Sequence, residues 1–235
     1  MNVQEATTRR LPDLKERHLP ENCRETINTI LKETYGYEQF RNLEIYDDLS
    51  KGKEKLCISQ GQLIENVILE AEKAWKSETQ VDNILLTAPT GSGKSLLFQL
   101  PAIYLGKEYN LLTIVVSPLK ALIVDQVESL QELGYARVAY ASSDLSPEQK
   151  MEVYRQVREG EIDLFYLSPE LLLSYDIKHF VGERRIGLVV VDEAHTVTTW
   201  GKEFRVDYWF LGRYLTALKP VSYTHLRAHE TPEHL

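Results

Sequence analysis

Lys94 and Ser95, closing a glycine-rich turn, and the acidic pair Asp192-Glu193 far downstream are the residues whose types and spacing could do chemistry. The run Ala88-Pro89-Thr90-Gly91-Ser92-Gly93-Lys94-Ser95 follows the apolar stretch NILLT and precedes SLLFQLPAIYL. Strand, glycine loop, helix is the setting of a phosphate cradle. Glycines let the backbone curl so that successive N–H groups face an anion. The helix N-terminus adds its positive end. In this reading Thr90, Gly91, Ser92, Gly93, Lys94 and Ser95 hold ATP. Lys94 reaches the β- and γ-phosphates, and the Ser95 hydroxyl ligates Mg²⁺. The bland alternative is a glycine turn before a helix, which the GxGKS wording between a strand and a helix disfavours. Ala88 stands where the strict pattern has its first glycine.

Ile186 to Val191 is a buried-strand signal that ends in Asp192-Glu193-Ala194-His195. In an open α/β sheet, ligands bind beyond the carboxyl ends of the strands. Asp192 there would hold Mg²⁺ and Glu193 would orient the attacking water. An acidic helix start is the rival reading, since carboxylates suit a helix N-terminus. His195 reads either as part of this catalytic group with Lys94, Asp192 and Glu193 or as a satisfied buried side chain.

The positioning elements follow from periodicity. Short Val/Ile/Leu-rich runs at 83–87, 111–117, 137–140, 163–167 and 187–191 alternate with helical stretches at 95–105, 119–133, 147–159 and 169–175. That alternation predicts an α/β fold, a parallel sheet with helices on both faces. A further helix is predicted over 62–75. Residues 1–55 are charge-rich and read as a small helical N-terminal appendage. Residues 56–220 read as one nucleotide-binding domain. The last stretch, 221–235, breaks the pattern and resembles translated adapter read-through, so it reads as a non-native tail. It holds His225, His229 and His234, whose spacing fits no standard metal motif.

Composition narrows the class. The chain has 235 residues, 43% hydrophobic and 26% charged, with a net charge of -8. An acidic chain gets no electrostatic support as a DNA-coating protein. It contains no apolar run of membrane-spanning length and no secretory leader. Two cysteines, Cys23 and Cys57, lack metal-ligand spacing, and a reducing cytoplasm fits them best.

Four segments in order resemble the first motor domain of superfamily 2 helicases, and their wording is most similar to the RecQ type. LLTAPTGSGKSLLFQLPAIYL resembles motif I, VVSPLKALIVDQVESL motif Ia, and DLFYLSPELLL the family's YxSPE segment. DEAHTVTTWGKEFRVDY resembles motif II with its aromatic-rich loop. The likeness covers about residues 60–218. Thr196-Val197, Lys202-Glu203 and Val206 depart from the usual wording, which marks a divergent branch.

The resemblance implies a RecA-like fold and an ATP-dependent DNA helicase of 3′–5′ type that uses ATP and Mg²⁺. It implies single-stranded or forked DNA as partner. Ser117, Pro118, Lys120 and Ser168 would meet the strand's backbone, which hydroxyls and N–H groups can do without net charge. Trp200, Phe204 and Arg205 would sense single-stranded DNA and relay this to Glu193 and His195; Trp200 and Phe204 could equally be core. The family's adenine-reading glutamine is placed at Gln62, with Gln60 as the alternative. Tyr37-Glu38-Gln39-Phe40-Arg41 keeps the family's Phe-Arg pair but sits too far upstream.

A complete motor also needs a second domain that supplies an arginine finger. Its absence predicts weak ATP–Mg²⁺ binding and poor hydrolysis. The family's next strand is expected after about residue 220, where the suspect tail begins, so a sheet lacking a central strand is expected. Other readings are an RNA-directed or double-strand translocase of the same superfamily, and a non-catalytic nucleotide-sensing scaffold. Intact Lys94, Ser95, Asp192 and Glu193 argue against the scaffold.

Overall fold

The computed structural model describes residues 19–46, 55–77, 84–88, 91–192 and 222–228. In chain order the elements begin with α1 (Glu25–Tyr35), β1 (Asn42–Tyr46), β2 (Lys55–Ser59), α2 (Gln60–Ser77) and β3 (Ile84–Ala88). Next come α3 (Leu96–Tyr109), β4 (Leu112–Val116), α4 (Lys120–Glu132), β5 (Val138–Ala141) and α5 (Pro147–Arg158). The series closes with β6 (Leu164–Leu167), α6 (Pro169–Ser174), α7 (Ile177–Val181), β7 (Ile186–Val191) and β8 (Ser222–Ala228).

Six strands form one sheet in the order β3-β8-β7-β4-β6-β5, and every pairing in it is parallel. The α/β expectation holds, with element ends within a few residues of those predicted. Alternation along each strand sends side chains to two faces. Val115, Leu164, Tyr166, Leu188 and Val190 pack in one core with apolar residues of α1 to α4. Leu112, Ile114, Val116, Phe165, Leu167, Val189 and Val191 pack in a second core with residues of α5, α6 and α7. Helix α3 is buried all round from Leu96 to Gly106, which explains its lack of amphipathic pattern.

Two expectations are corrected. The first concerns residues 1–55. Their described part contains one helix and a strand of the antiparallel hairpin β1–β2. Helix α1 is no separate appendage, because Ile27, Ile30 and Leu31 are buried in the same core as Ile64, Ile68 and Phe98. A polar network locks it there. Arg24, just before α1, reaches Glu65 Oε1 at 2.6 Å and Glu72 Oε1 at 2.8 Å on α2. Glu72 also accepts from Tyr104 and Tyr109 of α3, at 3.2 and 2.7 Å.

The second correction concerns the sheet. Ser222–Ala228, inside the stretch read as a tail, forms β8 between β3 and β7. The central position expected to be vacant is filled, with Thr224 opposite both Ile84 and Val190. A run of seven residues with extended backbone satisfies both neighbouring ladders, which leaves neither β3 nor β7 an open edge toward the other.

At the amino ends of the strands, Asp163 is fully buried. It accepts from Arg137 Nε at 2.6 Å, Arg184 Nη2 at 3.0 Å and the Tyr135 hydroxyl at 3.0 Å. Gly106 is required beside it, since a Cβ there would lie 2.3 Å from Asp163 Cγ. The described residues contain no helix long and apolar enough to cross a membrane.

Candidate functional site

The glycine loop joins β3 to α3, as the strand–loop–helix pattern requires. Pro89 and Thr90 lie outside the described residues. Gly91 and Gly93 take φ of +77° and +76°, the left-handed region that glycine enters without a Cβ penalty. Two such residues flanking Ser92 turn the chain sharply into α3, whose first backbone bonds run from Leu96 N to Gly93 O and from Leu97 N to Lys94 O. A Cβ on Gly91 would meet nothing within 4 Å, so the outer side of the loop is open. The Ser92 hydroxyl is buried without a hydrogen-bond partner. Lys94 and Ser95 are half-buried at the helix start.

The two candidate glutamines have different jobs. Gln62 is the third residue of α2 and its Oε1 accepts from Ser59 N at 3.0 Å, while Ser59 Oγ accepts from Gly61 N at 3.2 Å. That is a reciprocal helix cap of the S-x-x-Q kind. The other end of the Gln62 amide donates to Pro20 O at 3.1 Å. Both ends of Gln62 are therefore engaged in holding the start of α2. Gln60, 2% exposed, points to the phosphate loop instead. Its Nε2 donates to Ser92 O at 3.0 Å, and its Oε1 accepts from Arg41 N at 3.1 Å. A Cβ on Gly93 would stand 2.7 Å from Gln60 Nε2, so that glycine is needed for the glutamine's approach as well as for the turn. The pair Phe40-Arg41, set aside as too distant, is brought back by the hairpin. Gln60 N donates to Arg41 O at 2.9 Å, and a Cβ on Gly61 would meet the Phe40 ring at 2.7 Å.

Asp192 follows β7 at its carboxyl end and is buried. Its N–H donates to Val116 O at 2.9 Å, and its Oδ2 accepts from Gln126 Nε2 at 3.4 Å. Only β8 separates β7 from β3 in the sheet, so the carboxylate and the phosphate loop share one rim. Glu193, His195, Trp200, Phe204 and Arg205 lie outside the described residues.

The other strand ends carry the residues expected to meet nucleic acid. Ser117 and Ser168 directly follow the paired residues Val116 and Leu167 of β4 and β6. The Ser117 hydroxyl is buried without a partner, while its N–H donates to Leu167 O at 3.1 Å. Ser168 Oγ accepts from Leu171 N at 3.3 Å and caps α6. Pro118 is half-buried and Lys120 exposed. Lys120 Nζ lies 2.9 Å from Asp144 Oδ1. The rim thus gathers Ser117, Pro118, Lys120 and Ser168 beside Asp192.

Reading the sequence alone ranked Gln60 behind Gln62 and gave Gln126 and Tyr166 no role, although both stand in the segments that resemble motif Ia and the YxSPE segment. For Gln60 the signal was present. Ser59-x-x-Gln62 is itself a capping pattern, and it assigns Gln62 before any ligand is considered.

A family model for DEAD/DEAH box helicases matches residues 69–224. Among curated proteins, the chain is 30% identical over 187 residues to "ATP-dependent DNA helicase RecQ" of Haemophilus influenzae, covering 80% of this chain and 25% of that protein. It is 34% identical over 191 residues to the protein of the same name from Synechocystis, covering 80% of this chain and 33% of the relative. The chain therefore spans a quarter to a third of the length of these relatives. Among solved structures, the DUF1998 helicase MrfA bound to DNA and AMPPNP matches in fold with a TM-score of 0.55 at 20% identity, covering 92% of this chain and 27% of that one.

Proposed function

The chain belongs to the DEAD/DEAH box helicase family, and we propose that it is the ATP-binding motor half of a RecQ-like ATP-dependent DNA helicase. The observation that supports this best is one rim. The glycine loop, Asp192, Ser117 and Ser168 all stand at the carboxyl ends of strands in one parallel sheet. Such a rim is where α/β sheets place ligands.

The residues present fit ATP with Mg²⁺. Two left-handed glycines, an open outer face at Gly91 and the unpartnered Ser92 hydroxyl suit a phosphate chain. Lys94 would set its ammonium against the β- and γ-phosphates. Ser95 and Asp192 would hold Mg²⁺, which when bound offsets charge building on those oxygens. Gln60 would read the adenine edge with the second N–H of its amide, since the first already holds the Ser92 carbonyl of the phosphate loop, whereas Gln62 is directed at the helix start and Pro20. Glu193 would orient and polarise the attacking water, with His195 beside it. Ser117, Pro118, Lys120 and Ser168 would track a DNA backbone along the same rim, and Trp200, Phe204 and Arg205 would report the strand to Glu193. Efficient hydrolysis would need an arginine from a second motor domain, a contribution of about 10³–10⁵ in rate in related phosphoryl transfers.

The test is ATPase activity of the full-length gene product with and without single-stranded DNA. Stimulation by DNA that Glu193→Gln abolishes is the expected result. Stimulation by RNA instead would support an RNA-directed motor, and no stimulation by either would support a nucleotide-sensing module.

A further inference from the structure

Five side chains, four from four separate elements and the fifth just after β7, form one line of hydrogen bonds that ends on Asp192. The Tyr35 hydroxyl at the end of α1 donates to Gln99 Oε1 at 2.9 Å. Gln99 Nε2, in the first turn of α3, donates to the Tyr166 hydroxyl at 3.3 Å. Tyr166 on β6 donates to Gln126 Oε1 at 2.9 Å. Gln126 on α4 donates from Nε2 to Asp192 Oδ2 at 3.4 Å. Each group accepts from the one before and donates to the one after, so the bonds polarise in one direction, toward the carboxylate.

Resting on the nucleotide-binding reading above, we propose that Gln126, Tyr166 and Gln99 are positioning residues that orient the Asp192 carboxylate for Mg²⁺ and tie it mechanically to the phosphate-loop helix. Every member is neutral, so the line fixes the carboxylate without cancelling the charge a cation needs. An arginine or lysine in the place of Gln126 would compete with the metal. The line holds Oδ2 and with it the orientation of the carboxylate. Gln99 stands one turn into α3, where its N–H donates to Ser95 O at 2.9 Å. Movement of the phosphate loop is thus transmitted through Gln99 to Tyr166 and on to the carboxylate. Tyr166 is fully buried against Phe98, with ring centroids 6.5 Å apart, so its hydroxyl has little freedom to point elsewhere. Burial keeps that phenol protonated far above the ordinary range, and the Asp192 charge adds to this, which preserves the O–H the line requires.

The test is Mg²⁺ dependence of AMPPNP binding to this chain, measured calorimetrically across a MgCl₂ series and in EDTA. Gln126→Leu is expected to raise the Mg²⁺ midpoint about tenfold, the low end for loss of a group behind a metal ligand, with AMPPNP affinity in EDTA unchanged. Tyr166→Phe keeps the packed ring and loses only the hydroxyl, so a smaller rise is expected, and Tyr35→Phe smaller still. That order separates the proposal from a simple loss of stability, which would be greatest at buried Tyr166. Melting curves show that each variant is folded; Gln126 is only half-buried, so its replacement tolerates the fold best. An unchanged midpoint in folded Gln126→Leu overturns the proposal while leaving the nucleotide site intact. Loss of Mg²⁺-dependent binding in the unaltered chain overturns the nucleotide reading and the positioning role with it.

Discussion

Gln60 Nε2 lies 3.0 Å from the Ser92 carbonyl oxygen although 32 residues separate them, while Gln62, two positions on, turns away to cap its own helix. The pair predicts a clean division of effect. Gln60→Ala should erase a preference for ATP over GTP of about tenfold, one hydrogen bond of about 1.4 kcal/mol. Gln62→Ala should leave that preference intact and lower stability by about 1 kcal/mol, as loss of a helix cap does. Competition binding with the two nucleotides and a melting curve read both. Equal loss of selectivity in the two variants would put adenine recognition elsewhere.

Ending the chain at residue 220 removes β8 and leaves β3 and β7 facing each other across an empty ladder position. Unfolding should lose its cooperativity, and the truncated protein should self-associate through the exposed edges. A chain ending at 230 keeps β8 and should unfold in one sharp transition. Circular dichroism and light scattering distinguish the two, and a cooperative melt in the shorter chain would mean that β8 adds nothing to the sheet.

Glu72 offers a test by acid. Burial alone would raise its carboxyl, but hydrogen bonds from Arg24 and Tyr109 outweigh it and hold the pKa below the ordinary value of 4.5. A carboxyl depressed in the folded state contributes stability that is complete above its unfolded pKa and is lost as pH falls through the folded one. The unaltered chain should therefore melt above Glu72→Gln at pH 7, and the gap should narrow as pH falls below the ordinary value of 4.5 and through the depressed one. A gap that stays constant throughout the acid titration would show that the network acts by shape and not by charge.

Much of this was legible without coordinates. Short continuous apolar runs found five of the six strands of the main sheet, because buried parallel strands are apolar on both faces and leave little else for such runs to be. Lys94, Ser95 and Asp192 were legible because their chemistry demands a fixed local setting. β8 escaped because the stretch 221–235 resembles adapter read-through and reads as a tail, and because Ser222–Ala228 carries Thr, His and Arg where its neighbours carry Val and Leu, so only pairing on both sides reveals it. Helix α1 was found, but its burial was not. Ile27, Ile30 and Leu31 give a narrow stripe on a charged helix, which fits a loose appendage as well as a docked one. The Asp192 line was invisible for a plainer reason. Tyr35, Gln99, Tyr166 and Gln126 come from four elements, and no periodicity connects them.

The hairpin β1–β2 has a consequence of its own. The chain departs after Arg41 and returns at Gln60 so closely that the two residues exchange a pair of hydrogen bonds. To the nucleotide site, Phe40-Arg41 and Gln60 are neighbours, although the hairpin lies between them and adds Leu43 and Ile58 to the core. The connection between its two strands can change in length at little cost, because closing a longer loop adds only about 0.6 kcal/mol per doubling. The signature is written in three dimensions with a gap of arbitrary size in one. A search that insists on fixed spacing will pass over relatives built this way.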